Sequence, residues 1–194
     1  MKNLKQYIEE KLIVNKNYDP FKYHPKTWNE LREIVEERFE ELGPGTKTNP
    51  IDFNDIDISG ITSFYNNKEK TGLFELTEFE YIDISDWNVS NVENMMSMFF
   101  ECHNLQSIGD LSKWDVSRVE NVGFMFNGCI KLKSLGDLSN WNVSNVQNMY
   151  YTFNECTKLK SIGDVSNWNV LSVKDMRRMF DGSGITNIPD WYKG

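Results

Sequence analysis

The amino-acid sequence predicts an α/β solenoid, a stack of 27-residue units in which each unit supplies one short strand and one short helix, with N-terminal helices capping the stack. Three observations predict it. Four segments beginning at Asp83, Asp110, Asp137 and Asp164 align without a gap. Their apolar residues recur at constant phase. The first 45 residues lack the repeat and show helical patterns instead.

The second and third copies read DLSKWDVSRVENVGFMFNGCIKLKSLG and DLSNWNVSNVQNMYYTFNECTKLKSIG. Trp87, Trp114, Trp141 and Trp168 share one column, and Phe99, Phe126, Phe153 and Phe180 a second. Cys102, Cys129 and Cys156 form a third, which ends in Ser183. Within a copy, Val92, Met95, Phe99 and Cys102 lie at offsets of 3, 4 and 3, the spacing of one face of a helix of about three turns. Ser90 with Glu93, Ser117 with Glu120, and Ser144 with Gln147 have capping-box spacing and mark its start; in the last copy Ser172 with Asp175 takes over one residue later. Leu105, Ile108 and Leu111, with their counterparts Leu132, Leu135 and Leu138 and then Leu159, Ile162 and Val165, predict the strand. Stacked copies would share a core, with strands ~4.8 Å apart in a parallel sheet.

A degenerate copy precedes the regular ones. The run 57–61 matches 88–92, and Leu73-Phe74 stands for Met98-Phe99 when the hydrophilic stretch 65–71 is read as an insertion. At the other end Ile185, Ile188 and Trp191 open a copy that stops, with Pro189 suited to a terminating edge because it has no N–H. Leu4, Ile8 and Leu12 suggest a first amphipathic helix. Thr27-Trp28-Asn29-Glu30 is a capping box for a second, running through Leu31, Ile34, Val35, Phe39 and Leu42 to Gly43-Pro44. The predicted organisation is therefore a helical cap over 1–46, the degenerate copy over 47–82, and four regular copies with a truncated edge over 83–194.

The pattern D-[LIV]-S-x-W-[DN]-V-S-x-V-x-x-M-x-x-[MT]-F-x-x-C-x-x-L-x-x-[LI] resembles the BspA-like leucine-rich repeat family of bacterial surface proteins and lipoproteins. The match is strong over 83–188 and weak over 51–82. It implies a leucine-rich-repeat-type solenoid and, for surface members, attachment to host proteins or other cells. Surface members carry an export signal, whereas Glu9, Glu10 and Lys11 interrupt the apolar stretch such a signal needs. The expectation is a cytoplasmic protein.

Composition narrows the function further. With 39% hydrophobic and 26% charged residues the chain has the make-up of a globular protein, and no run approaches the ~18 apolar residues of a membrane span. The formal charge of −8 is spread along the chain: residues 83–194 hold 10 Lys/Arg against 13 Asp/Glu, and residues 1–82 hold 11 against 16. Nucleic acid and anionic membrane, which draw affinity from clustered Lys and Arg, are disfavoured as partners. No Gly-rich phosphate loop, metal-ligand cluster or nucleophile motif is present, so neither an enzyme nor a cofactor is expected. His24 and His103 are far apart and lack a nucleophile.

The cysteine column reads as buried packing rather than zinc or disulfide chemistry, since no C-x-x-C pair exists and the count of three is odd. The Trp column reads as packing between copies. The sequons at Asn88 and Asn142 are products of the repeat. Asp83, Asp110, Asp137 and Asp164 are expected to point out of the strands, where like charges ~5 Å apart need compensation. Either they accept hydrogen bonds from neighbouring turns beside Gly109, Gly136 and Gly163, or they form an acidic strip with Lys133 and Lys160 that binds a basic partner or a cation. The sequence is thus read as a non-enzymatic protein-protein interaction module, an intracellular adaptor or inhibitor such as a mobile element encodes. The alternative is a surface or secreted adhesin with its export signal missing.

Overall fold

Backbone hydrogen bonding decides the architecture, and in the repeats it runs neither along helices nor along extended strands. The computed structural model describes residues 19–194; the expected helix around Leu4, Ile8 and Leu12 lies outside them. Helix α1, Trp28–Leu42, starts at Thr27, whose side chain accepts from the Glu30 N–H at 3.2 Å while Glu30 Oε2 accepts from the Lys26 N–H at 2.6 Å. It ends at Gly43, whose φ of 72° is open to glycine at little cost. Strand β1 (Ile51–Asp52) pairs in parallel with β4 (Ile82–Asp83), and β2 (Tyr65–Asn66) pairs antiparallel with β3 (Thr71–Gly72) in a hairpin. These are the only helix and strands among the described residues. The expected α/β leucine-rich-repeat solenoid is therefore corrected, because the copies after Asp83 contain no helix and no strand.

The helix fails for a local reason. Asn88, Asp115, Asn142 and Asn169 each accept through Oδ1 from the N–H two residues on, at 3.0 to 3.3 Å, and so occupy the Ser90, Ser117 and Ser144 amides. Asn94, Asn121, Asn148 and Asp175 do the same at 2.9 to 3.1 Å, in the middle of the expected helix. Such side-chain to backbone bonds compete with helix formation and bend the chain. Between corners, turn bonds follow at two-residue intervals, with Met98 N–H on the Met95 carbonyl (3.3 Å), Phe100 N–H on the Ser97 carbonyl (3.0 Å) and Cys102 N–H on the Phe99 carbonyl (3.2 Å). Alternate turns start four residues apart and place Met95 and Phe99 on one side, as a helix would. The apolar spacing is the same for both.

The strand fails for a second reason. Gly109, Gly136 and Gly163 adopt φ of 88°, 83° and 89°, and the Asp that follows each one forms another side-chain-closed turn, so no extended run survives. Between the second and third copies only two backbone bonds cross here, from Leu111 N–H to the Leu135 carbonyl at 2.9 Å and from Lys133 N–H back to the Gln106 carbonyl at 3.3 Å.

What joins the copies is a ladder in which four bonds run forward and one runs back, as from Glu120 N–H to the Glu93 carbonyl at 2.8 Å. The N–H groups of Met95, Ser97, Phe99 and Glu101 donate to the carbonyls of Asn121, Gly123, Met125 and Asn127 at 2.8 to 3.0 Å. Val122, Phe124, Phe126 and Gly128 donate in turn to Asn148, Tyr150, Thr152 and Asn154. Met149, Tyr151, Phe153 and Glu155 donate to Asp175, Arg177, Met179 and Asp181. This in-register contact builds the core columns. Phe74, Phe99, Phe126, Phe153 and Phe180 stack with centroids 5.0 to 5.8 Å apart, and Trp114, Trp141, Trp168 and Trp191 with centroids 6.1 to 6.5 Å apart. Each indole N–H reaches back to a carbonyl of the preceding copy, Trp141 to Leu111 at 2.9 Å and Trp168 to Leu138 at 3.0 Å. The thiols do likewise, Cys129 to the Phe99 carbonyl (3.2 Å) and Cys156 to the Phe126 carbonyl (3.0 Å).

Helix α1 closes the carbonyl-bearing end. Leu31 and Val35 are buried, Trp28 Nε1 donates to the Phe64 carbonyl at 3.1 Å, and Arg32 donates to the Leu73 carbonyl. Buried Arg38 donates to the Asp52 carbonyl and grips both Asp55 oxygens at 2.6 and 2.7 Å. No helix among the described residues is long and apolar enough to cross a membrane.

Two outcomes follow from this packing. A Cβ on Gly136 would lie 1.9 Å from Asp110 Oδ1 at a φ of 83°, so Gly136→Ala should lower stability in denaturant unfolding by about 1–3 kcal/mol from backbone strain alone. Burial pushes the Cys102 and Cys156 thiols up to about 12 and Cys129 well above its ordinary value. A raised folded value means that the native state keeps protons the unfolded chain releases above pH ~8.5. Stability should hold below that pH and fall above it by about 1.4 kcal/mol per pH unit per thiol. The triple Cys→Ala variant should lose this slope.

Candidate functional site

The Asp column expected at the surface is occupied by structural work. Asp83 Oδ1 accepts from the Ser85 N–H at 2.9 Å and its hydroxyl at 2.7 Å, and Asp110, Asp137 and Asp164 accept from the N–H groups of Ser112, Ser139 and Ser166 at 2.9 to 3.1 Å. The Ser112 backbone and hydroxyl hold the Asp110 carboxyl below the usual range, and Ser166 does the same for Asp164. Asp83, Asp110 and Asp137 also sit against Gly109, Gly136 and Gly163 of the copy's far end, where a Cβ would approach within 2.6, 1.9 and 1.8 Å of Oδ1. Lys133 Nζ donates to Gln106 Oε1 (2.8 Å), and Lys160 Nζ to the Thr157 carbonyl (3.3 Å). Asp83 and Lys133 share a groove with Lys47, Tyr81 and Gln106; Asp110, Asp137, Asp164 and Lys160 do not line it.

The histidines bind carboxylates separately. His24 lies 2.8 Å from Asp19 and 3.3 Å from Asp57, and His103 lies 2.7 Å from Glu101. Among the described residues no group of three His, Cys, Asp or Glu could hold a metal ion. The three thiols are buried and protonated, so they offer no nucleophile.

A different surface carries interface chemistry. Phe100 meets Phe124 edge-on at 5.9 Å, Phe124 meets Tyr150 at 5.0 Å and Tyr151 at 5.3 Å, and the two tyrosines lie 4.2 Å apart. Arg177 lies over the Tyr150 ring at 5.3 Å and Arg178 over Tyr151 at 5.7 Å, where Arg178 also donates to the tyrosine hydroxyl at 2.8 Å. The four rings are half-buried and both arginines exposed. Leu76, 63% exposed, extends the ridge at its other end, where its N–H binds the Phe100 carbonyl.

Two features separate these side chains from the core columns. They break the repeat: the column of Phe124 holds Ser97, Phe124, Tyr151 and Arg178, and that of Tyr150 holds Met96, Gly123, Tyr150 and Arg177. Several also stand where large side chains are costly. Phe124, Tyr151 and Arg178 have φ of 58°, 57° and 56°, in the left-handed region. Aromatic residues and arginine are the side chains enriched at protein interfaces. The signal was present in the sequence as a departure from phase, whereas invariant columns drew attention to Asp.

The strain separates ridge from core experimentally. Phe126→Ala, in the buried stack, should cost about 3–5 kcal/mol in denaturant unfolding. Tyr151→Gly removes a ring yet relieves about 1–2 kcal/mol of left-handed strain, and should leave stability within about 1 kcal/mol of wild type once the extra backbone entropy of glycine is counted.

No curated protein and no solved structure matches the chain. The resemblance to BspA-like leucine-rich repeats is corrected by the family model that matches residues 53–191, which describes a different family. The chain belongs to the family described as Mycoplasma protein of unknown function, DUF285.

Proposed function

We propose that the chain is a non-enzymatic protein-binding module, an adaptor or inhibitor that works inside the cell and contacts another protein through the ridge of Phe100, Phe124, Tyr150, Tyr151, Arg177 and Arg178. The observation that carries this reading is the retention of Phe124 and Tyr151 at positive φ, in positions that the core does not use. Strain of this kind is tolerated where a side chain serves a purpose beyond stability. The net charge of −8 supports a protein over nucleic acid or an anionic membrane. Three unpaired cysteines suit a reducing compartment.

The test compares the wild-type chain with a Phe124→Gly/Tyr150→Ala variant as baits in host-cell extract, after thermal unfolding has shown both to be folded. A specific protein should be recovered by the wild type and reduced at least about tenfold by the variant, the loss expected when a hot spot worth over 1.4 kcal/mol is removed. Recovery of the same proteins in the same amounts by both baits would refute the ridge. Cell fractionation checks the compartment, and material found outside the cell or on its surface would overturn an intracellular role.

A further inference from the structure

Half of the chain's formal charge lies on one helix. Helix α1 carries six glutamates against two arginines, a net −4 of the −8, and both arginines are turned toward the protein. Arg38 is buried against Asp55, while Arg32 bonds Glu36 at 2.7 Å and donates to the Leu73 carbonyl. Glu33, Glu37, Glu40 and Glu41 make no ion pair among the described residues. Between the flank of this helix and residues 76–79 runs a groove of about 200 Å³. Its floor is apolar: Phe39 meets buried Phe79 edge-on at 5.0 Å, and Leu76 beside them is 63% exposed. Its rim is acidic, with Glu36 and Glu40 on the helix and Glu78 on the other wall.

Leu76 does not stand there for the sake of the fold. Its N–H binds the Phe100 carbonyl as the Glu101 N–H binds that of Asn127, so it holds the ladder position of Glu101, Gly128, Glu155 and Gly182 in later copies. Its φ of 59° lies in the left-handed region, where a bulky side chain is rare. Burial does not offset that strain, because most of the side chain faces solvent. At about 200 Å³ the groove falls below the ~300–1,000 Å³ of small-molecule sites and suits one inserted side chain.

The surrounding charges leave acid in excess at this end of the helix. Glu75 accepts from the Gly72 N–H at 2.6 Å, and Glu78 accepts from the Asn104 amide, whose Oδ1 takes a bond from Lys131 Nζ at 2.6 Å. Toward the β2–β3 hairpin a second groove, of about 250 Å³, adjoins α1 at Trp28 and Glu33. There Lys68 and Lys70 flank Glu69 in the chain and balance the carboxylates.

We propose that the groove beside Leu76 docks a basic segment of a partner protein, which inserts one apolar side chain against Leu76 and Phe39 and sets flanking Lys or Arg residues against Glu40 and Glu78. The inference rests on the reading of the chain as a protein-binding module and names the chemistry of its partner. Leu76 is both a wall of the groove and the end of the aromatic ridge, bonded to Phe100, so a partner lying along the ridge passes directly into the groove. An apolar anchor ringed by polar groups is the arrangement of an interface hot spot. Opposite potentials on the two partners steer the encounter and fix its register.

The test is a titration of the full isotope-labelled chain with a capped peptide of one leucine between two pairs of arginines, followed by backbone amide shifts. Two control peptides replace the leucine by serine or the arginines by glutamates. Saturable shifts of the Phe39, Glu40, Leu76 and Phe79 amides are expected with the first peptide, binding at least about tenfold weaker with the serine control, and none with the glutamate control. Leu76→Gly, which removes an exposed side chain from a left-handed backbone, should weaken binding at least about tenfold without lowering the melting temperature. Glu40→Gln with Glu78→Gln should weaken it as much. Shifts spread without saturation over remote carboxylates such as Asp115 and Asp164, equal affinity for the serine control, or undiminished affinity of Leu76→Gly would each overturn the inference. So would a sedimenting mass that rises with concentration in the wild type and not in Leu76→Gly, since the occupant would then be a second copy. A failed titration, with host-protein capture still lost in the ridge variant, would remove the basic segment and leave the binding module standing.

Discussion

The structure depends on one row of backbone amides, four to a copy, that point the same way. Alternate residues from Met95 to Glu101, and their counterparts 27 and 54 positions on, give their N–H groups to the next copy and take none back at those positions. Such a ladder requires left-handed residues at regular places, and Ser97, Phe124, Tyr151 and Arg178 occupy one set while Glu101, Gly128, Glu155 and Gly182 occupy another. A non-glycine residue there costs about 1–2 kcal/mol. The ladder persists because each copy it aligns buries Trp, Phe, Met and Val side chains, each contributing about 1.5–3 kcal/mol. Glycine relieves the strain in alternate copies only, since Gly128 and Gly182 lie beneath Glu101 and Glu155, whose carboxylates would meet a Cβ at 2.9 and 2.4 Å.

Direction in the ladder makes the two ends chemically unlike. One end exposes carbonyls, and α1 meets them with donors from Trp28, Arg32 and Arg38. A polar face of helix therefore serves as a cap where an apolar one alone would leave acceptors buried and unpaired, at a cost of about 1–3 kcal/mol for each. At the other end the N–H groups of Met176, Arg178, Phe180 and Gly182 have no backbone acceptor among the described residues. There Trp191 extends the indole stack and donates to the Val165 carbonyl at 2.8 Å, so the aromatic column is continued although the amide row is not. Covering apolar area and satisfying hydrogen bonds are separate tasks, and the C-terminal segment performs the first.

The 27-residue period was legible as a statement about which residues meet, because Trp141 over Trp168 or Phe126 over Phe153 follows from phase alone. Helix α1 was equally legible, since Thr27, Glu30 and Gly43 are local signals acting on neighbouring amides. The backbone between the columns was not. Offsets of 3 and 4 arise from a chain of successive turns as readily as from a helix, so Val92, Met95, Phe99 and Cys102 could not distinguish them. Asn94, Asn121 and Asn148 carried the missing information: an asparagine in mid-helix is disfavoured, and one followed two residues later by a free amide closes a turn. The aromatic ridge was hidden for the opposite reason, since attention to what recurs passes over what does not.

Residues that repeat and residues that break the repeat therefore answer to different physical demands. A column position is tested against the same environment in every copy, so Asp110 is explained once its carboxylate is seen closing a turn beside Gly136. Phe124 and Tyr151 have no such explanation, because Ser97 satisfies the same backbone geometry without a ring. Their side chains contribute little that the ladder or the core requires, and they stand at strained φ in contact with Arg177 and Arg178. The fold bears the cost of these side chains without needing them, which is why the proposed recognition surface lies on the irregular face of a regular stack.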